Sequence, residues 1–227
     1  MISQVLYGEA FKIIDERKEW YKIRIQWDQY EGWVTQNQAT LITADQYATL
    51  GKKTFIPSPH LMDFIQLENN EIMPIPLGSD LRALSYLNHT VEDLPSPLRF
   101  DKNTLVQTAY QYLHTPYLWG GKTPMGIDCS GLTQMVYKIH GIPIKRDAYL
   151  QAEHGKTLSF IEESEPGDLA FFDNKEGEIT HVGILLQNHF ILHAHGKVRI
   201  DRIDQSGIFN ADLQTHTHKL RIIKSMA

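Results

Sequence analysis

The chain has 227 residues, 42% of them apolar and 22% charged, and a formal charge of −5 from 22 basic and 27 acidic side chains. That balance excludes a disordered or collagen-like chain, and the length gives room for one large domain or two small ones. No stretch nears the roughly 18 to 20 consecutive apolar residues of a spanning helix, and the acidic balance exerts no global pull on nucleic acid, so neither membrane nor nucleic acid is an expected partner.

The single cysteine, Cys129, allows no intrachain disulfide and fits a reducing compartment. The opening Met1-Ile2-Ser3-Gln4-Val5-Leu6-Tyr7-Gly8-Glu9 lacks the basic and apolar segments of a secretory signal, so a cytoplasmic location is expected.

Residues 1 to about 42 read as short strands rich in β-branched and aromatic residues: Val5-Leu6-Tyr7, Phe11 to Ile14, Trp20 to Ile25 and Gly32-Trp33-Val34. Tyr21, Ile23 and Ile25 alternate with polar residues, which predicts a sheet wet on one side and a small barrel. A short helix is expected over 43–50 with Thr43 as N-cap. Residues 51 to 78 mix strand and loop signals, and Pro57, Pro59, Pro74 and Pro76 are expected to limit regular structure there. A small all-β domain is therefore placed at 1–92, with a linker at 93–99 around Pro95 and Pro97.

From residue 100 the period changes to that of helices. Leu105, Ala109, Tyr112 and Leu113 mark one helix, and Leu132, Met135, Val136 and Ile139 mark a second that stops at Gly141 and Pro143. Strands follow at 168–172, 181–186, 190–193 and 198–201. Helices first and a sheet afterwards predict an α+β domain over 100–227, with helices packed on an antiparallel sheet.

Asp128-Cys129-Ser130-Gly131 heads the second helix. Asp128 is a natural N-cap, which puts Cys129 in the first turn. Unpaired backbone N–H groups and the helix dipole there favour an anion, so the thiol is expected to ionise more readily and act as a nucleophile. The competing reading is a small buried apolar residue. A thiolate needs a proton-handling partner, commonly histidine. A hairpin centred on residue 187 would set His181 directly opposite His193 on one face, with His195 as the competitor for His193. His181, His193, His195 and Cys129 could in principle hold zinc, but no tight ligand spacing is present, and no metal is expected. His216 and His218 are expected to be exposed. Trp33 and Trp119 could contact a ligand, with core packing the favoured role.

The runs Pro116-Tyr117-Leu118-Trp119-Gly120-Gly121, Gly126 to Leu132, Pro166-Gly167-Asp168-Leu169, His181-Val182-Gly183-Ile184 and Leu192-His193-Ala194, taken in order, resemble the NlpC family of papain-like cysteine peptidases. Residues 3–9 and Tyr30-Glu31-Gly32-Trp33-Val34 resemble the bacterial SH3-like barrel that precedes the peptidase in the γ-D-glutamyl-L-diamino acid endopeptidase branch. The resemblance implies Cys129 as nucleophile, His181 as base, His193 as its orienting residue, and no cofactor. It places the free amine of a murein peptide, L-Ala-γ-D-Glu-diamino acid, on Asp147 and Tyr117, with Tyr30 closing the pocket end and Ser130 beside the substrate. Ala148 stands where relatives often carry Ser, and an acidic residue some relatives have near the start falls at Ile2. Arg146 could meet the α-carboxylate of D-Glu or be solvated. A pocket closed at the L-Ala side fits the trimming of freed peptides in cell-wall recycling. Rival readings are a secreted hydrolase of intact peptidoglycan, a papain-like acyltransferase or thioesterase, and a wall-binding module without activity. The residues choose neither the diamino acid nor the oligomeric state.

Overall fold

In the computed structural model, which describes residues 1–97 and 100–226, the chain divides into one compact unit of residues 2–99 and another of residues 100–227 together with Met1. The expected linker contains Leu98 and Arg99, which lie outside the described residues.

The N-terminal unit opens with an antiparallel sheet of β1 (Phe11–Arg17), β2 (Trp20–Ile25) and β3 (Glu31–Thr35) in that order. Ile23 and Ile25 are buried while Arg24 between them is exposed, so the alternation reports a half-wet sheet. Val5 to Tyr7 is not a strand. The backbone N–H of Leu6 donates to the Glu9 carboxylate at 2.7 Å, so local turn bonding replaces a ladder there. Helix α1 (Ala44–Lys52) starts with a capping box, in which Thr43 Oγ1 accepts from the Gln46 N–H at 3.2 Å and Gln46 Oε1 from the Thr43 N–H at 2.8 Å. Contrary to the proline argument, a regular hairpin forms from β4 (Met62–Gln66) and β5 (Ile72–Pro76). Pro74 and Pro76 are alternate residues in a two-stranded ladder, so their missing N–H groups fall on the unpaired side. Ile65 and Ile75 from this hairpin pack with Leu81 and Leu84, the latter in α2 (Leu84–Leu87).

The C-terminal unit starts with α3 (Lys102–Gln111), N-capped by Asp101, which accepts from the Thr104 N–H. A two-stranded turn, β6 (Lys122–Thr123) and β7 (Gly126–Ile127), leads into α4 (Cys129–Ile139), every residue of which is buried. Then come α5 (Ala148–Ala152), β8 (Lys156–Leu158), β9 (Leu169–Asp173), β10 (Ile179–Leu186), β11 (Phe190–His195), β12 (Lys197–Asp204), β13 (Gly207–Asn210) and β14 (Thr215–Ser225). The sheet order is β13-β12-β11-β10-β9-β14-β8, and β13 also pairs with β14, so six strands close into a ring with β8 attached outside it. Ala170, Phe172, Leu185, Ile191, Ile203, Ile208 and Ile223 form one buried apolar cluster of this sheet. Helix α4 packs against β10 and β11, which explains why β10 is buried on both faces and reads as a continuous apolar run. The unit is α+β, as expected. Strand β14 had no counterpart in the sequence reading, because its first half is Thr, His and Lys rather than an apolar alternation.

Candidate active site

Asp128 caps α4 as its position predicts: Oδ1 accepts from the Gly131 N–H at 2.7 Å. Its other oxygen accepts from the Gly120 N–H at 2.7 Å, which ties the Trp119-Gly120-Gly121 turn to the head of the helix. That approach is close: a Cβ on Gly131 would stand 2.3 Å from the Gly121 carbonyl oxygen, so only glycine fits.

Arg146 is not solvated, which removes one of the two roles open to it. It is 2% exposed, and its guanidinium makes a bidentate pair with Asp128 at 3.0 and 2.7 Å and donates to Ser130 Oγ at 2.9 Å. A planar fork suits a buried carboxylate, so the arginine holds the cap of α4 rather than meeting solvent. The Ser130 hydroxyl is drawn into the same cluster. Its Oγ lies 3.4 Å from Asp128 Oδ1.

Cys129 is 7% exposed, as is His181. The thiol meets a backbone hydrogen bond from Val182, the residue after His181, and another from Ser130. Those donors and Arg146 favour the thiolate, but burial of the charge and the Asp128 carboxylate oppose it more strongly and push the thiol up to about 11. The helix N-terminus therefore does not produce a resting thiolate, against expectation. Alkylation of Cys129 by iodoacetamide should consequently rise with pH across the alkaline range, toward a midpoint near 11. A plateau already reached at pH 7 would show instead that the thiolate is the resting form.

Histidine pairing differs in detail from the expected register. The β10–β11 hairpin centres on Asn188, so His193 sits opposite Gly183, not His181. His181 and His193 are diagonal neighbours on one face, and His181 Nε2 still lies 2.9 Å from His193 Nδ1. Room for this comes from Gly183. An added Cβ there would fall 2.7 Å from Ile191 Cδ1 and 2.9 Å from His193 Cβ. Gly183→Ala is expected to cost about 1–3 kcal/mol by overpacking and to displace His193. Urea denaturation measures the first effect and turnover the second.

The far nitrogen of His193, Nε2, lies 3.0 Å from Asp201 Oδ2. Asp201, on β12, is itself bonded by Arg199 at 2.8 Å. Burial raises the Asp201 carboxyl, yet the bonds from His193 and Arg199 hold it below its ordinary value. A carboxylate only accepts, so His193 carries its proton on Nε2 and presents the Nδ1 lone pair. His181 must then donate from Nε2, which leaves its Nδ1 as the basic nitrogen. Burial, reinforced by His193, His218 and His195, keeps His181 well below its ordinary value and therefore neutral. Burial likewise lowers His193. Neutral thiol and neutral imidazole form the resting pair.

Asp201 and His218 were missed from sequence. Asp201 could have been found, because the β11–β12 register pairs His193 with Arg199 and Ile191 with Asp201 on the same face. His218 is not exposed: it stacks on His181 with ring centroids 4.2 Å apart, and burial lowers it to about 4. His195 is exposed and lies 6.3 Å from His193, ring to ring.

Tyr117 is half-buried, and burial together with the Cys129 and Asp128 charges pushes its hydroxyl up to about 12. Asp147 is the half-buried N-cap residue of α5, with no side-chain cap bond of its own. Tyr30 belongs to the N-terminal unit, where its N–H donates to Asp28 Oδ1 at 2.9 Å. Trp119 is 69% exposed and Trp33 39%, so neither packs in a core.

Comparison with known proteins adds a family. Residues 114–218 match the NlpC/P60 family, and residues 1–38 match the bacterial dipeptidyl-peptidase Sh3 domain. A dipeptidyl-peptidase 6 of Lysinibacillus sphaericus is 27% identical over 95% of this chain and 89% of its own length. A γ-D-glutamyl-L-lysine dipeptidyl-peptidase of Bacillus subtilis is 28% identical over 85% of this chain and 71% of its own. The crystal structure of an NlpC/P60 family protein from Bacillus cereus matches with a TM-score of 0.82 over 99% of this chain and 81% of that one, at 20% identity, which bears on the fold alone.

Proposed function

This chain carries an NlpC/P60-family domain behind a bacterial dipeptidyl-peptidase SH3 domain, and on that footing we propose that it is a cysteine endopeptidase hydrolysing the γ-D-glutamyl–diamino acid bond of freed murein peptides. The observation that carries the reading is the run His181–His193–Asp201, which aims one basic imidazole nitrogen from the strand that also donates to the Cys129 thiol.

The steps follow from the protonation states. His181 Nδ1 takes the thiol proton as Cys129 Sγ attacks the γ-glutamyl carbonyl carbon, so no standing thiolate is required. Backbone N–H groups at the head of α4 stabilise the oxyanion. The C–N bond breaks as His181 returns the proton to the leaving amine. Water, deprotonated by His181, then attacks the thioester and frees Cys129. Asp201 accepts throughout and holds His193 in the tautomer this needs.

Asp147 and Tyr117 bind the free L-Ala ammonium, because an ammonium withdrawn from water needs a carboxylate and further acceptors. Ala148 supplies no hydroxyl there, and Arg146 is not assigned to substrate. The relatives named for γ-D-glutamyl-L-lysine support a diamino acid on the leaving side. Trimming of freed peptides inside the cell is the proposed setting, with no cofactor.

The test compares L-Ala-γ-D-Glu-diamino acid with its N-acetylated form, read by mass spectrometry. The free peptide is expected to be cleaved after γ-D-Glu and the blocked one at least 100-fold more slowly, about 2.7 kcal/mol of lost ammonium binding. Equal rates would remove the amine claim and favour intact peptidoglycan as substrate. Transfer to a non-water acceptor would make the enzyme an acyltransferase.

A further inference from the structure

Three histidines gather at the polar end of the apolar cluster on the C-terminal sheet: His181, His193 and His218, each offering a nitrogen within 4.8 Å of the others. Beyond the peptidase reading, on which only its inhibitory consequence rests, we propose that this trio is a binding site for a divalent transition metal of zinc type, and that its occupation switches the peptidase off.

Each ring is prepared for coordination in its own way. His193 is 1% exposed and gives Nε2–H to Asp201, so Nδ1 is the nitrogen with a lone pair. A histidine that hands its other N–H to a carboxylate is the usual arrangement behind a metal ligand, and Arg199 steadies that carboxylate in turn. His218 Nδ1 is bonded to Thr217 Oγ1 at 2.8 Å, which leaves Nε2 as its ligand atom. His181 Nε2 already faces His193 Nδ1 at 2.9 Å.

Tetrahedral zinc with Zn–N bonds of about 2.0–2.1 Å needs nitrogens about 3.3 Å apart. The His181–His193 pair must open slightly, and His218, the least buried of the three, must both close by up to about 1.5 Å and turn edge-on from its present stack on His181, whose ring plane lies 28° from its own. Imidazole is a preferred ligand for zinc and copper, and a three-histidine set leaves the fourth position to water. His195 is outside the trio.

Inhibition follows from proton balance. To bind through Nε2, neutral His181 moves its single ring proton from Nε2 to Nδ1. No proton is released, but the Nδ1 lone pair that takes the Cys129 proton is gone. Metal and thiol thus compete for one imidazole.

The metal is tested alone, with ZnCl2 and CoCl2 on the full chain freed of metal by chelator. Binding is measured first in Cys129→Ala protein, which has no thiol, so failure of the peptidase reading cannot mask it. One equivalent of Co2+ with the intense visible absorption of a tetrahedral site is expected, displaced by Zn2+. His218→Ala and His218→Gln should each weaken binding at least tenfold, whereas His195→Ala should not. Unaltered far-ultraviolet circular dichroism shows that these variants fold. In the active chain, stoichiometric Zn2+ should suppress turnover at least tenfold, chelator should restore it, and His218→Gln should be spared. Sub-stoichiometric or octahedral Co2+ binding, or affinity in both His218 variants equal to that of the parent, overturns the site. Full site occupancy with undiminished turnover overturns the switch.

Discussion

Asp201→Asn is expected to lower turnover on the order of 10³-fold while the protein stays folded. The carboxylate touches no reacting atom, and its effect is transmitted through tautomers. An asparagine amide can offer its NH2 to His193 Nε2 across the 3.0 Å now spanned to Asp201. His193 then carries its proton on Nδ1 and donates to His181 Nε2, reversing the bond now measured at 2.9 Å. His181 is forced to hold its proton on Nδ1 and can no longer take one from Cys129. The distinguishing signature is a loss in kcat with KM nearly unchanged, because substrate contacts are untouched. A loss under tenfold would show that His193 keeps its tautomer without the carboxylate.

Arg146→Met is the second large effect, and it acts on stability. Removing one partner of a buried ion pair leaves the other charge uncompensated, at about 3–5 kcal/mol. Here the orphan is Asp128, 6% exposed, the cap of α4 and the anchor of Gly120. A loss of that size is a large fraction of a domain's roughly 5–15 kcal/mol and corresponds to a fall of roughly 10–15 °C in Tm. Scanning calorimetry checks it. The double variant Arg146→Met with Asp128→Asn should recover only part of the loss: it removes the buried charge and the amide oxygen can still accept from Gly131, but the amide NH2 then faces the Gly120 N–H and that bond is lost. If Arg146→Met unfolds within 2 °C of the parent, solvent reaches Asp128 and the pair is not a buried one.

Much of the site was legible along the chain because it depends on short-range order. Asp128 before an amphipathic run identifies a capped helix, and the cap places Cys129 in its first turn. The even spacing of His181 and His193 puts both on one face whether the hairpin centres on 187 or 188, which is why a register misjudged by one residue at the turn still delivers their contact. The two prolines of β5 limit regular structure less than expected, because proline excludes only the bonded positions of a strand.

Local order alone determined the two domain types, the capped helix, the cysteine at its head and the shared face of two histidines, since each follows from the periodicity of one element or the turn joining two. Long-range closure decided the rest. His218 reaches His181 only because β14 returns to pair with both β9 and β13. Arg146 meets Asp128 only because the chain beyond α4 folds back over the cap. The protonation states were likewise decided by packing: sequence supplies a helix dipole that favours the thiolate, but the depth at which the sulfur is buried sets the cost of withdrawing its charge from water, and that cost is the larger effect.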